Sequence, residues 1–122
     1  MTHSAEQRLF ARVPFVHDVA WCDAHGENGV ATLFDVSRSG LGIEAGSYFR
    51  PGPLLRVSFP DLLHGGSPIE LDALTVWCRP AADGDGRFRA GLSVVHGEPA
   101  TLAKTSLIFH SAIHAFGLQR SA

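Results

Sequence analysis

Two short patterns in the 122-residue chain bring chemistry-bearing side chains into close order. Arg8-Leu9-Phe10-Ala11-Arg12 sets two arginines four apart, and Asp35-Val36-Ser37-Arg38-Ser39-Gly40 groups an aspartate, a serine and a glycine. Guanidinium forks clamp phosphate through paired hydrogen bonds or meet the O6/N7 edge of guanine. Their planes also stack on purine faces. A carboxylate such as that of Asp35 accepts from the N1–H and exocyclic amine on guanine's other edge. The Ser37 hydroxyl can donate to a phosphate oxygen or accept from that amine. Gly40 is expected to turn the chain with positive φ and to let a ligand approach the backbone. The plain alternative for Asp35 and Ser37 is an Asx- or serine-type turn. Shuffling this composition yields roughly 0.6 copies of the first pattern and roughly 0.06 of the second. The weight therefore rests on the two occurring together, in this order, on either side of one strand.

Other groupings carry less. His110 and His114 sit four apart on one helix face, where two imidazoles could grip a metal. No acid follows the first and no third ligand stands near, so a solvated face explains them. Asp83-Gly84-Asp85-Gly86 hints at a calcium loop but lacks the run of oxygen ligands and the closing glutamate, and reads as a hairpin turn. Ser37, His17 and Asp18 contain the residue types of a hydrolytic triad, without a nucleophile elbow to assemble them. Cys22 and Cys78, each beside or near a tryptophan in a strand, read as core residues and free thiols. No catalytic machinery is expected.

Composition sets the frame. The chain is 45% hydrophobic and 18% charged, which excludes wholesale disorder and suits one domain with its own core. No apolar stretch approaches the ~20 residues of a membrane span, and the first residues lack a signal peptide's apolar run. Two cysteines do not make a disulfide framework, so a reducing cytoplasm is expected. The net charge is −2, with acids and bases spread evenly. That balance argues against a protein that tracks a nucleic-acid polymer, including a small barrel for single strands. Nine of the ten basic residues are arginine. Codon bias explains this simply, whereas retention of the planar five-donor fork would explain it functionally.

The elements that must position these residues are mostly strands. Short apolar runs cut by Gly, Asp and Pro predict strands near Phe15–Cys22, Gly29–Asp35, Leu41–Glu44, Leu54–Phe59, Ile69–Arg79 and Arg87–Val95. In the fifth, Ile69, Leu71 and Ala73 alternate with Glu70 and Asp72, the period of a half-buried strand. Six strands without intervening helices predict an antiparallel barrel or sandwich. Glu98-Pro99 then opens a helix over about 98–117. Its expected buried stripe is Leu102, Phe109, Ile113 and Phe116, with Ser106 and Ala112, ended by Gly117. Residues 1–12 read as a flexible N-terminal arm carrying the arginine pair, and residues 13–122 as one domain.

Taken together, the two patterns resemble the signatures of the PilZ domain, the bacterial receptor module for cyclic di-GMP. The resemblance covers nearly the whole chain. Leu74-Thr75-Val76-Trp77-Cys78-Arg79 is similar to the family's Trp-bearing strand, and Arg87-Phe88-Arg89-Ala90-Gly91-Leu92-Ser93-Val94 to its closing Gly-centred strand. The resemblance implies an all-β fold, a six-stranded antiparallel β-barrel of the PilZ split-barrel kind capped by a C-terminal α-helix. It implies that Arg8, Arg12, Asp35, Ser37 and Gly40 contact cyclic di-GMP; Trp77 and Arg79 could lie near it as stacking or phosphate groups, although a strand tryptophan is more often a core residue. Many members carry a basic residue just before the first arginine, where this chain has Gln7. The family binds one nucleotide or an intercalated pair, and both remain open here. The implied function is a non-enzymatic cytoplasmic sensor that orders its arm on the ligand and signals to an effector protein, in control of motility, biofilm or virulence. No cofactor, metal, nucleic-acid polymer or membrane insertion is expected, and a homodimer is left open. The other reading is a ligand-free PilZ-like interaction module in pilus or motility machinery.

Overall fold

Alternating apolar residues build six strands in the computed structural model, which describes residues 12–60, 66–82 and 85–121, with residues 116–121 by backbone alone. The strands are β1 (Val13–Asp23), β2 (Asn28–Val36), β3 (Gly40–Ala45), β4 (Leu54–Phe59), β5 (Ile69–Pro80) and β6 (Phe88–Val94), followed by helix α1 (Pro99–Ser121). They close into one barrel in the order β1-β2-β3-β6-β5-β4. Every neighbouring pair is antiparallel. The expected barrel is therefore present.

Three turns among the described residues place a glycine at positive φ, two of them beside β1 and β4. Gly26, at φ 88°, ends the β1–β2 hairpin, and Gly52, at φ 112°, lies between Pro51 and Pro53. A side chain resists that left-handed region, so both positions fix where the chain reverses. Asp23 holds the first turn, its Oδ1 accepting the N–H groups of His25 at 2.9 Å and Glu27 at 3.0 Å.

Inward positions follow the two-residue period of a strand. Ile69, Leu71 and Ala73 are buried on β5 while Glu70 is exposed, as the alternation predicts. Val19, Leu33, Ile43, Val57 and Phe59 meet in the centre. The same period corrects the expectation for Cys22. Trp21 takes the inward position, so Cys22 points outward and is exposed. Cys78 is half-buried against the core, and its Sγ accepts the Phe49 N–H at 3.4 Å. Both thiols are free.

Helix α1 begins where Pro99 predicts, but a different face of it docks. Thr105, Ile108 and Ala112 are buried, with Phe109 partly so, while Leu102 is 66% and Ile113 47% exposed and Ser106 faces solvent. Small side chains let the helix axis approach the barrel closely, and Ile108 fills the remaining space. The Thr105 hydroxyl donates to the Leu102 carbonyl at 3.0 Å, which lets it be buried without penalty. Gly117 does not end the helix, which continues to Ser121. A mid-helix glycine costs only about 1 kcal/mol relative to alanine. No helix among the described residues is long and apolar enough to cross a membrane.

On the barrel's outer face, Glu44 of β3 accepts from Arg87 Nε at 3.0 Å and Arg89 Nε at 2.9 Å. The hydrogen bond from Arg89, then that from Arg87, holds the Glu44 carboxyl below its ordinary value. A depressed folded pKa contributes stability above the unfolded value, and this is lost as pH falls through the folded one. Melting temperature is accordingly expected to fall on acidification below about pH 4.5. Glu44→Gln should lose less than the parent between about pH 7 and about pH 3 in paired thermal scans.

Candidate functional site

Antiparallel pairing of β1 with β2 sets Val13 opposite Val36 and Pro14 opposite Asp35. Arg12 therefore arrives beside the end of β2 and the turn that follows it. Its Nη1 donates to Asp35 Oδ1 at 2.8 Å. Its Nη2 lies 3.8 Å from where a Cβ on Gly40 would stand. The guanidinium thus bridges both ends of the Asp-x-Ser-x-x-Gly segment.

That segment is held by backbone. The Ser37 N–H donates to the Gly40 carbonyl at 2.9 Å, and the Val94 N–H of β6 donates to the Ser39 carbonyl at 2.9 Å. Ser37 is only 8% exposed, and its Oγ accepts the Ser39 N–H at 3.4 Å. This is the serine-type turn anticipated as the plain alternative, and it sits within the site. Gly40 does not have positive φ, contrary to expectation. It is needed for proximity instead, since a Cβ would stand 3.0 Å from the Leu92 carbonyl oxygen and 3.4 Å from Ser37 Oγ. The Arg38 guanidinium, midway along the turn, lies 5.7 Å from the Phe109 ring centre on α1.

Two β-bulges orient the rest. In β2 the register shifts between Leu33 and Asp35, and in β5 between Thr75 and Trp77. An extra residue in a strand re-aims the side chain after it. Leu33 and Val36 are both buried while Phe34 and Asp35 between them are not; on β5, Thr75 is buried, Val76 exposed, and Trp77 and Cys78 half-buried. Asp35 and Trp77 are thereby turned outward onto one lateral row of paired residues, Asp35–Gly42–Gly91–Trp77. The two central glycines leave a shallow trough. A Cβ on Gly42 would collide with Asp35 Oδ1 and the Phe34 ring, and one on Gly91 with the Trp77 indole. Glycine inside a strand often marks such close approach, a signal the sequence offered at both positions.

Arginines surround this trough. Arg79 stacks 4.4 Å from the Trp77 ring centre and Arg89 4.6 Å from that of Phe34. Arg12 pairs with Asp35, and Arg87 and Arg89 pair with Glu44, so three of the four guanidiniums are matched to a carboxylate. An even spread of charge along the chain concealed this cluster, because its members come from five different strands or their edges. Of the residues anticipated at the site, Arg12, Asp35, Ser37 and Gly40 converge, and Trp77 with Arg79 lies on the same face. Arg8 lies outside the described residues. His110 and His114 are exposed on α1, and no group of three metal-ligating side chains occurs among the described residues.

Such a face can hold a flat, anionic ligand. Guanidiniums meet phosphate, aromatic–arginine stacks meet a ring system, and Asp35 meets hydrogen-bond donors on the ring edge.

Comparison with known proteins places the chain. Among solved structures it is similar to the PilZ domain with c-di-GMP of YcgR from Escherichia coli, with a TM-score of 0.73 at 14% identity, covering 92% of this chain and 95% of that one. It is similar to the Bacillus subtilis inhibitor of motility MotI/DgrA, with a TM-score of 0.66 at 16% identity over 88% of this chain and 51% of that one. The K. pneumonia MrkH–c-di-GMP complex gives 0.71 at 11% identity, covering 93% and 54%. The chain thus spans about half the length of MotI and MrkH. No curated protein sequence matches it. At these identities the likeness shows the fold alone. The family model of the PilZ domain, however, matches residues 6–108. The chain belongs to the PilZ domain family.

Proposed function

We propose that this protein is a non-enzymatic receptor for cyclic di-GMP that passes the signal to an effector protein. The observation that carries the reading is the convergence of Arg12, Asp35, Ser37 and Gly40 beside a glycine-floored trough flanked by stacked arginines. The ligand has two phosphates and two guanines. Arg12 and the neighbouring guanidiniums answer the phosphates, and Asp35 answers the N1–H and amine of a guanine. The Phe34–Arg89 and Trp77–Arg79 stacks offer flat surfaces to purine rings. YcgR and MrkH, with c-di-GMP in their structures, share the fold and support the same reading here.

Arg8 is the fifth proposed ligand-contacting residue. Each charge-assisted hydrogen bond contributes ~1.5–3 kcal/mol, enough in combination to offset the entropy of ordering residues 1–12 over the barrel. Closure of that arm creates a surface the unliganded protein lacks, and an effector controlling motility, biofilm or virulence reads it.

Calorimetric titration with cyclic di-GMP, GMP and cyclic di-AMP tests this directly. Micromolar or tighter binding of cyclic di-GMP alone is expected. At a hundredfold excess over Kd the ligand contributes about 2.7 kcal/mol to folding, raising Tm by roughly 10 °C. Equal heat from all three nucleotides would reduce the site to a general anion trap. An unchanged Tm at saturating nucleotide would favour the ligand-free interaction module.

A further inference from the structure

Where β1 ends and β4 begins, the β1–β2 hairpin and the β3–β4 connection enclose a cleft of about 330 Å³. It shares no lining residue with the nucleotide site. Its floor contains Trp21 and Phe49, both buried and set edge to face with ring centres 4.8 Å apart, and the exposed Tyr48 stands beside them. Asp23 and Glu27 lie at the mouth, with Arg50 and His25 completing the rim.

Thr75 also lines this cleft. It is 3% exposed, and its Oγ1 is the one buried side-chain polar atom without a hydrogen-bond partner among the described residues. A buried hydroxyl left unsatisfied is costly, so it marks a place where a partner is wanted. The backbone around it is occupied, because the Gly52 N–H donates to the Thr75 carbonyl at 3.0 Å. Thr75 follows Ala73 in the buried set of β5.

We propose that this cleft is a second ligand site, for a small aromatic amine bearing a hydroxyl or carbonyl at the end of its ring remote from the amine. The ring would lie on the Trp21–Phe49 floor and its oxygen would meet Thr75 Oγ1. The ammonium group would rest between the rim carboxylates of Asp23 and Glu27, where the aromatic faces also favour a cation. Two carboxylates against the single guanidinium of Arg50 select a cation over an anion.

The test uses the full chain and tyramine as probe, followed by amide and indole NMR shifts. Phenethylamine lacks the ring hydroxyl, and 4-hydroxyphenylacetate keeps it but reverses the charge. Tyramine should move the Trp21 indole, Gly52 and Thr75 signals and bind at least about tenfold tighter than either analogue. Thr75→Val, which keeps the shape and deletes the oxygen, should hold or raise Tm while reducing tyramine binding to the level of phenethylamine. Glu27→Gln, at the exposed rim, should erase the preference for amine over acid. The site is overturned if no probe moves these signals. It is equally overturned if Thr75→Val lowers Tm and leaves probe binding unchanged, since the hydroxyl would then serve the fold. Cyclic di-GMP affinity should be untouched by Glu27→Gln, so this outcome and that of the nucleotide titration are read separately.

Discussion

Arg12→Ala is expected to weaken cyclic di-GMP binding by about a hundredfold while leaving the apo melting temperature within a degree or two. The binding loss follows from removing one fork that carries two charge-assisted hydrogen bonds, each ~1.5–3 kcal/mol. The small effect on folding follows from exposure. The Arg12–Asp35 ion pair has 47% of the arginine and 23% of the aspartate side chain in solvent, and such surface pairs contribute at most about 1 kcal/mol. Calorimetry with parallel thermal scans separates the two. An unchanged Kd would remove Arg12 from the site, and a large fall in apo Tm would make it a structural residue instead. Arg12→Lys should recover little affinity, because a point charge cannot reproduce the paired fork.

Phe59→Ala should produce the largest loss of stability, ~3–5 kcal/mol. Phe59 is 0% exposed, closes β4 opposite Ile69, and has the His17 ring 6.3 Å from its own. It is one of the largest fully buried side chains of the barrel's core cluster, so its truncation leaves a cavity among the remaining side chains. Against a total folding free energy of ~5–15 kcal/mol, much of the margin disappears. Tm should drop by roughly 10–20 °C for a domain of this size. Denaturant titration would show a lower midpoint with an unchanged slope. A loss below about 1 kcal/mol would mean that the barrel repacks around the gap.

Strand positions were legible because the chain alternates and punctuates itself. Ile69-Glu70-Leu71-Asp72-Ala73 can bury only one set of side chains, and glycines or prolines stand at the reversals. Helix α1 was legible at its start, where Pro99 lacks the N–H that a first turn leaves unused. Its docking face was not. Leu102, Leu107, Ile108, Phe109, Ala112 and Ile113 are distributed around much of its circumference, so period alone does not select a side. The barrel chose Thr105, Ile108 and Ala112 because close approach favours small residues, a tertiary effect absent from any local pattern.

The same division runs through the site. The two motifs named Arg12, Asp35, Ser37 and Gly40, and the pairing of β1 with β2 brings them together. What could not be seen was the joint effect of two bulges and two glycines. Each is a one-residue event in its own strand, and they align only once β2, β3, β6 and β5 are hydrogen-bonded in register. The Gly40 expectation failed for a related reason. Its constraint comes from the Leu92 carbonyl of a strand some fifty residues later, not from its own dihedral angle.

A ring of strands leaves little to zip onto. β1 pairs with β2 along one side and with β4 from Ala20 to Asp23 along the other, completing the circuit of six. Foreign chains that lengthen a sheet need a row of unpaired amides and carbonyls, and closure breaks that row into short stretches, such as β1 before Ala20 on its β4 side. A partner of the paired part of the barrel must therefore grip side chains rather than backbone. Recognition of that kind is editable by single surface substitutions that leave the barrel intact.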